Sequence, residues 1–253
     1  MALKEKLRNN KPTFGSWLTI GHPAIVEILA SAGFEWLTID MEHTTIDLAK
    51  AQELITVIQA NGMEALVRVS KNEEVIIKRV LDAGANGVIV PMVKSREDAQ
   101  QAVDYVKYPP VGKRGVGLAR AQKYGIGFEQ YKKWQEEGTV IIAQIEHVDS
   151  VRNIDDIILT PHIDGTIVGP FDLSASMGMP GEYHKQEVID ALKYVEDRCM
   201  ALNKPLGFHV INPDYRDIQE KLHKGYTFLA FSLDFFFLGD KAREQMTLLK
   251  TNL

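Results

Sequence analysis

Short apolar runs recur along this chain, separated by stretches in which apolar positions return every three or four residues. The runs Phe14 to Ile20, Trp36 to Ile39, Ala65 to Val67 and Gly87 to Val90 occupy the first part. Thr139 to Ala143, Gly165 to Val168, Pro205 to Val210 and Tyr226 to Phe231 follow. They are short, mostly rich in β-branched residues, and do not alternate with polar ones. That pattern predicts strands buried on both faces, as in a parallel sheet. The stretches between them predict helices with readable ends. Pro23 opens one that closes at Gly33, Asp47 caps one to Ala60, Asn72 caps one over Glu73 to Ala83, and Ser95 caps one to Val106. Longer helical patterns cover Val148 to Leu159, His184 to Leu202, Pro213 to His223 and Phe236 to Leu249, and shorter ones cover Leu3 to Asn10 and Phe128 to Trp134.

Eight strands alternating with helices, with no break in composition, predict a parallel α/β fold. A (β/α)8 TIM barrel takes about 250 residues, and the chain has 253, so the expectation is one domain over 1–253 with a short N-terminal helix. The rival is a doubly wound open sheet, whose GxGxxG turn after the first strand is absent. Only Tyr108 to Gly127 breaks the pattern. A loop of that length suits a substrate-side lid or a contact between subunits.

In a barrel, chemistry collects where strands end and the following loops begin. The stretch Thr139 to Gly178 is the most informative. One run leads into Gln144-Ile145-Glu146 and the next into Gly169-Pro170-Phe171-Asp172, with a helical pattern between. A right-handed βαβ unit brings both carboxylates to the same sheet edge. Glu146 and Asp172 therefore suit a divalent cation with oxygen ligands, Mg²⁺, Mn²⁺ or Co²⁺, whereas zinc normally brings more His or Cys. Asp172 has a plainer reading as a cap of the turn that follows. Arg68, ending the third strand, suits a substrate carboxylate or enolate oxygen through its planar fork. His43 is the candidate general base, flanked by Asp40 and Glu42. In extended backbone His43 points away from those two, so all three enter one site only through a turn. Gln144 suits a water or a substrate oxygen, and Trp17 either walls a pocket or fills the barrel.

Composition narrows the classes. The chain is 45% hydrophobic and 25% charged with a formal net charge of −5, and no dense Lys/Arg run argues for nucleic acid. Its single cysteine, Cys199, leaves no internal disulfide and no zinc-type CxxC pair. The charged N-terminal stretch lacks an apolar signal core, and no apolar run approaches a membrane span, so a cytoplasmic protein without membrane partners is expected. No lysine projects from a strand end as a Schiff-base aldolase requires. The loops after the seventh and eighth runs lack the glycines of a barrel phosphate site, which disfavours a phosphorylated substrate.

Gly15-Ser-Trp17, Asp40-Met-Glu-His43, Val67-Arg-Val69, Pro91-Met92, Tyr108-Pro-Pro-Val-Gly-Lys-Arg-Gly-Val-Gly117, Gln144-Ile-Glu146 and Gly169-Pro-Phe-Asp-Leu-Ser-Ala-Ser-Met-Gly178 stand in this order along the chain. Together they resemble the HpcH/HpaI aldolases, the class II pyruvate aldolases. The resemblance implies a metal-dependent aldolase that cleaves or forms the C3–C4 bond of 4-hydroxy-2-oxo acids, giving pyruvate and an aldehyde. It implies Glu146 and Asp172 as metal ligands, Arg68 on the pyruvyl group and its enolate, and His43 in proton transfer. It further implies that Asp82 from a neighbouring subunit pairs with His43, and that Trp17, Gln144 and Ser174 line the substrate. It also implies a homohexamer, a dimer of trimers, with the last helix exchanged between subunits. Two other readings compete: a citryl- or malyl-thioester lyase on the same barrel, and a non-catalytic binder of 2-oxo acids.

Overall fold

The computed structural model describes residues 1–252, and its eight strands close into a parallel barrel in sequence order, each bonded to the next and the last to the first. The strands are β1 (Thr13–Leu18), β2 (Trp36–Asp40), β3 (Glu64–Arg68), β4 (Gly87–Val90), β5 (Val140–Ile145), β6 (Gly165–Val168), β7 (Leu206–Val210) and β8 (Phe228–Leu233). The first half carries helices α1 (Leu3–Arg8), α2 (Pro23–Ser31), α3 (Leu48–Ala60), α4 (Glu74–Asp82) and α5 (Arg96–Val106). The second carries α6 (Phe128–Gly138), α7 (Val148–Arg152), α8 (Ile154–Ile158), α9 (Pro170–Ser176), α10 (Gln186–Ala201), α11 (Tyr215–His223) and α12 (Asp234–Thr251). The barrel expected from the alternation is therefore present.

Apolar side chains divide into two cores, as two-sided burial requires. Inside the barrel, Trp36, Leu66, Ile142 and Phe228 pack in one cluster, which Leu3 and Leu7 of α1 join from below. The larger cluster fills the space between strands and helices. Trp36 stacks on Phe228 at 4.4 Å between centroids, and Gly15 makes room for it: a Cβ on Gly15 would lie 2.1 Å from the Trp36 ring.

Several local expectations shift, each for a visible reason. The Val148–Leu159 helix divides at Asn153, whose amide donates to the Lys94 carbonyl at 2.9 Å. Asn72 does not cap α4. Its amide donates to the Asp98 carbonyl, and Glu73 holds the cap position. Helix α11 begins at Tyr215, not Pro213, with Asp214 accepting from the Arg216 N–H. Strand β1 stops at Leu18 because the Thr19 and Ile20 N–H groups turn to the Asp234 carboxylate, at 2.8 and 2.7 Å. Asp234 also accepts from the Thr19 hydroxyl and the Phe235 N–H, so its buried carboxylate ties the start of α12 to the end of β1.

The irregular stretch contains a 3₁₀ turn at Arg120–Gly125, in which Lys123 and Tyr124 adopt positive φ. It joins α5 to α6, which leads into β5, so it lies at the end of the barrel where strands begin. Within one chain it is no lid on the opposite rim.

Gly15→Val should force the Trp36–Phe228 stack apart. Overpacking of this kind typically costs about 1–3 kcal/mol, and the Cβ approach places this site at the upper end. Urea unfolding with an unchanged m-value and a lowered midpoint would be the expected result; an unchanged midpoint would mean that Trp36 moves freely.

Candidate active site

Strand register builds the centre of the site. Asp40 and Arg68 are direct partners in β2 and β3. At that separation facing opposite charges meet. Arg68 Nε and Nη2 donate to the two Asp40 carboxylate oxygens at 3.0 and 2.7 Å, and Nη1 lies 3.2 Å from Glu42 Oε2. The turn needed to bring Glu42 and His43 into the same site is present. Asp40 Oδ1 accepts from the Glu42 and His43 N–H groups at 3.0 and 3.3 Å, and the Thr44 hydroxyl donates to the Asp40 carbonyl. His43 Nε2 lies 3.6 Å from Glu42 Oε2, with its ring largely exposed at the mouth.

Arg68 sits 5.3 Å above the Trp17 ring, which stacks on His209 at 4.6 Å. Burial holds the His209 imidazole down at about 4, so it is neutral near pH 7. Its Nε2 is 3.0 Å from the Ser232 carbonyl. Trp17 thus walls the pocket and fills the barrel mouth at once, and its buried Nε1 has no hydrogen-bond partner among the described residues.

Opposite lies Glu146, past the end of β5. Met92, in a left-handed conformation (φ 54°), donates its N–H to Glu146 Oε1 at 2.7 Å, and the Gln144 amide donates to Oε2. A non-glycine residue in that region carries strain, a common feature of functional sites. Gly169 passes close by; a Cβ there would come within 3.2 Å of the Glu146 carboxylate. Asp172 lies in the first turn of α9 but caps nothing: among the described residues its carboxylate has no hydrogen-bond partner, and it lines the cavity. That cavity, about 370 Å³, also draws in Arg68, His43, Gln144 and Trp17.

Carboxylates crowd here. Burial, reinforced by the charges of Glu42 and Asp172, raises the Glu146 carboxyl to about 7. Glu42 is also raised to about 7, by burial against the opposing pull of Arg68. Among the described residues no group of three or more His, Cys, Asp and Glu side chains is placed to hold a metal ion. The donor set nevertheless fits a hard divalent ion: two oxygen ligands from Glu146 and Asp172, excess negative charge, and positions left for substrate and water.

Two expected residues stand elsewhere. Ser174 is fully buried in α9, its hydroxyl donating to the Phe171 carbonyl and accepting from the Gly181 N–H, so it shapes the loop and its side chain does not line the cavity. Asp82 ends α4, at the opposite end of the barrel from His43. There Oδ1 accepts from buried Arg114 at 2.6 Å and from Gln122 at 3.4 Å. The two cannot meet within one chain. The cavity also includes Thr19, Phe171, Ile211 and Phe235, which sequence reading passed over. The available signal was position, since each stands just beyond a strand end.

A closed barrel with an arginine fork, converging carboxylates and an open cavity at its C-terminal rim defines a barrel enzyme for a small, oxygen-rich substrate. The chain belongs to the HpcH/HpaI aldolase/citrate lyase family, which matches residues 13–239. It is 34% identical over 245 residues to the 2-dehydro-3,6-dideoxy-6-sulfogluconate aldolase of Pseudomonas putida, covering 96% of this chain and 95% of that protein. It is likewise 34% identical to the 5-keto-4-deoxy-D-glucarate aldolase of Escherichia coli, covering 91% and 90%. An HpcH/HpaI aldolase/citrate lyase family protein from Burkholderia cenocepacia superposes with a TM-score of 0.91 at 31% identity, over 98% of each chain.

The crowding makes a prediction for protein stripped of divalent ions. The Glu146 carboxyl lies above its ordinary 4.5 in the folded state. Its contribution to stability is therefore fully present below about pH 4.5 and is lost as pH rises through about 7. Glu146→Gln should raise the melting temperature above pH 7 with chelator present, the gain shrinking toward pH 5, where the wild-type residue is already protonated. An equal gain at pH 5 and pH 8, read by calorimetry, would show that charge is not the cause.

Proposed function

We propose that the chain is a cytoplasmic, divalent-metal-dependent aldolase, a carbon–carbon lyase that cleaves or forms the C3–C4 bond of 4-hydroxy-2-oxo acids. The products would be pyruvate and an aldehyde, and the whole chain would serve as one catalytic domain. The observation that carries this reading is that Arg68 and Asp172 line one cavity, with buried Glu146 directly behind its Gln144 wall, on a barrel whose family matches almost end to end.

Glu146 and Asp172 would hold the ion, which would supply a Lewis acid for the negative charge that develops on the keto oxygen. Arg68, oriented by Asp40 and Glu42, binds the pyruvyl oxygens and steadies the enolate from its free side. Trp17 and neutral His209 form the floor and keep that end dry. His43 takes the proton of the 4-hydroxyl, the C3–C4 bond breaks, and its electron pair passes into the pyruvate enolate as the aldehyde leaves. Protonation at C3 then completes pyruvate.

Asp82 would join His43 from a neighbouring subunit, in a homohexamer arranged as a dimer of trimers with the last helix exchanged. Two features support this. Asp82 Oδ1 is fixed by Arg114 at the opposite end of its own barrel. Helix α12 leaves Leu238, Met246, Leu248 and Leu249 exposed, an apolar content that suits a partner surface.

Pyruvate release from 4-hydroxy-2-oxo acids, measured after chelation and again with Mg²⁺, Mn²⁺ or Co²⁺ restored, should be lost and recovered in that order. Glu146→Gln should abolish the recovery. Acetyl-thioester turnover, or binding without turnover across a broad aldehyde panel, would replace the aldolase reading. The shared site has its own test. His43→Ala and Asp82→Asn should each be nearly inactive alone, while co-expression restores about a quarter of wild-type activity through randomly formed intact sites. No recovery would place Asp82 outside the reaction.

A further inference from the structure

We infer that Arg114 is a positioning residue for the shared proton-transfer pair: it holds Asp82 by Oδ1 alone and so leaves Oδ2 free for the partner subunit's His43. This role rests on the aldolase reading and on Asp82 meeting His43 across a subunit boundary. Asp82 is the last residue of α4. An acid there stands at the negative end of the helix dipole, and a cation is needed to hold it in place. Arg114 supplies that cation with a side chain that is 0% exposed, against 18% for Asp82. Buried in this way, Arg114 touches no substrate and acts only through the carboxylate.

The form of the contact sets it apart from other ion pairs of the chain. Arg68 with Asp40, and Arg198 with Asp155, are two-pronged: Nε and Nη2 meet both carboxylate oxygens. That geometry is an arginine's strongest hold on a carboxylate. Arg114 is more deeply buried than Arg68 or Arg198, yet it reaches Asp82 through Nη2 alone, at 2.6 Å from Oδ1. Its Nη1 donates to the Tyr131 hydroxyl at 3.0 Å, and its buried Nε has no hydrogen-bond partner among the described residues. A buried donor without an acceptor is costly. The fold nevertheless keeps this orientation, with the guanidinium 4.9 Å from the Tyr108 ring and 5.6 Å from the Tyr131 ring. Gln122, also fully buried, donates to the Tyr108 hydroxyl at 3.0 Å and to Asp82 Oδ1 at 3.4 Å. Both side-chain donors thus converge on Oδ1, and among the described residues none reaches Oδ2. Gly117 passes beside that second oxygen, where a Cβ would stand 3.0 Å away. One oxygen is therefore fixed and the space before the other is kept clear. A fixed, free carboxylate oxygen is what an imidazole N–H needs to settle its tautomer and orientation.

The test uses crosses between variants, with pyruvate release from a 4-hydroxy-2-oxo acid measured on metal-restored enzyme. Arg114→Met should lose about a hundredfold in kcat, with KM nearly unchanged. Co-expressed with His43→Ala it should recover to about a quarter of wild-type activity, because intact sites then take His43 from one chain and the Arg114–Asp82 pair from the other. Co-expressed with Asp82→Asn it should stay inactive, because both lesions lie on the chain that donates the acid. A loss of general stability would not follow that pattern. If Arg114→Met does not fold, Arg114→Lys takes its place in the same crosses; it keeps the buried charge without the planar hold and should lose about tenfold. Gly117→Val, which leaves the ion pair intact, should show the same pattern of recovery. Retained kcat in the folded Arg114 variant or in Gly117→Val, recovery with Asp82→Asn, or none with His43→Ala overturns the positioning role. The cross of His43→Ala with Asp82→Asn separates the levels: if it recovers while the Arg114 pattern fails, only this role falls. If that cross stays inactive, the shared site falls and this role with it. No pyruvate release by the wild-type chain with any divalent ion removes the aldolase reading beneath both.

Discussion

The pairing of Arg68 with Asp40 is the contact on which the rest of the site is built. It follows from register, since the two residues end adjacent parallel strands side by side. Two parallel hydrogen bonds fix the plane of the guanidinium, which a single contact would not do. That plane lies over Trp17, Trp17 lies on His209, and His209 meets the Ser232 carbonyl. The result is a column across the barrel mouth from β3 through β1 and β7 to β8. The same Asp40 carboxylate accepts the two N–H groups that fold the Glu42–His43 turn inward. A slip of one residue between β2 and β3 would dissolve the ion pair and the turn together.

Against that ordered half stands a half held in tension. Glu146 is buried beside other carboxylates, and among the described residues only the Met92 N–H and the Gln144 amide relieve it. Met92 adopts an unfavourable backbone conformation to offer its N–H, and position 169 is glycine where any side chain would press on Glu146. Such an arrangement sacrifices folding energy to keep acidic oxygens aimed at one volume. A positive group entering that volume would relieve the crowding, because the cost of assembling like charges falls on the folded chain.

Much of this was legible in the chain itself, for physical reasons. Unalternating β-branched runs mark two-sided burial, so the eight strands and their closure could be read from pattern alone. That Arg68, Glu146 and Asp172 stand at one rim was readable because strand ends in a parallel barrel share it. Ser174 was misleading: a hydroxyl among site residues looks available, yet burial in α9 turns it onto the loop backbone. Thr19, Ile211 and Phe235 were overlooked because their chemistry is plain and only their position is informative. The departure of Thr19 and Ile20 from β1 depended on Asp234, more than 200 residues away, which no local window contains.

The three tryptophans occupy three separate environments. Trp36 is sealed in the barrel interior, Trp17 lies beneath the guanidinium at the cavity, and Trp134 is partly exposed beside the 3₁₀ segment at the far end. Their indoles therefore sense different solvents and different neighbours. Single-tryptophan versions of the chain would carry distinct optical reporters of the fold, the occupied site and the opposite pole, with no label attached.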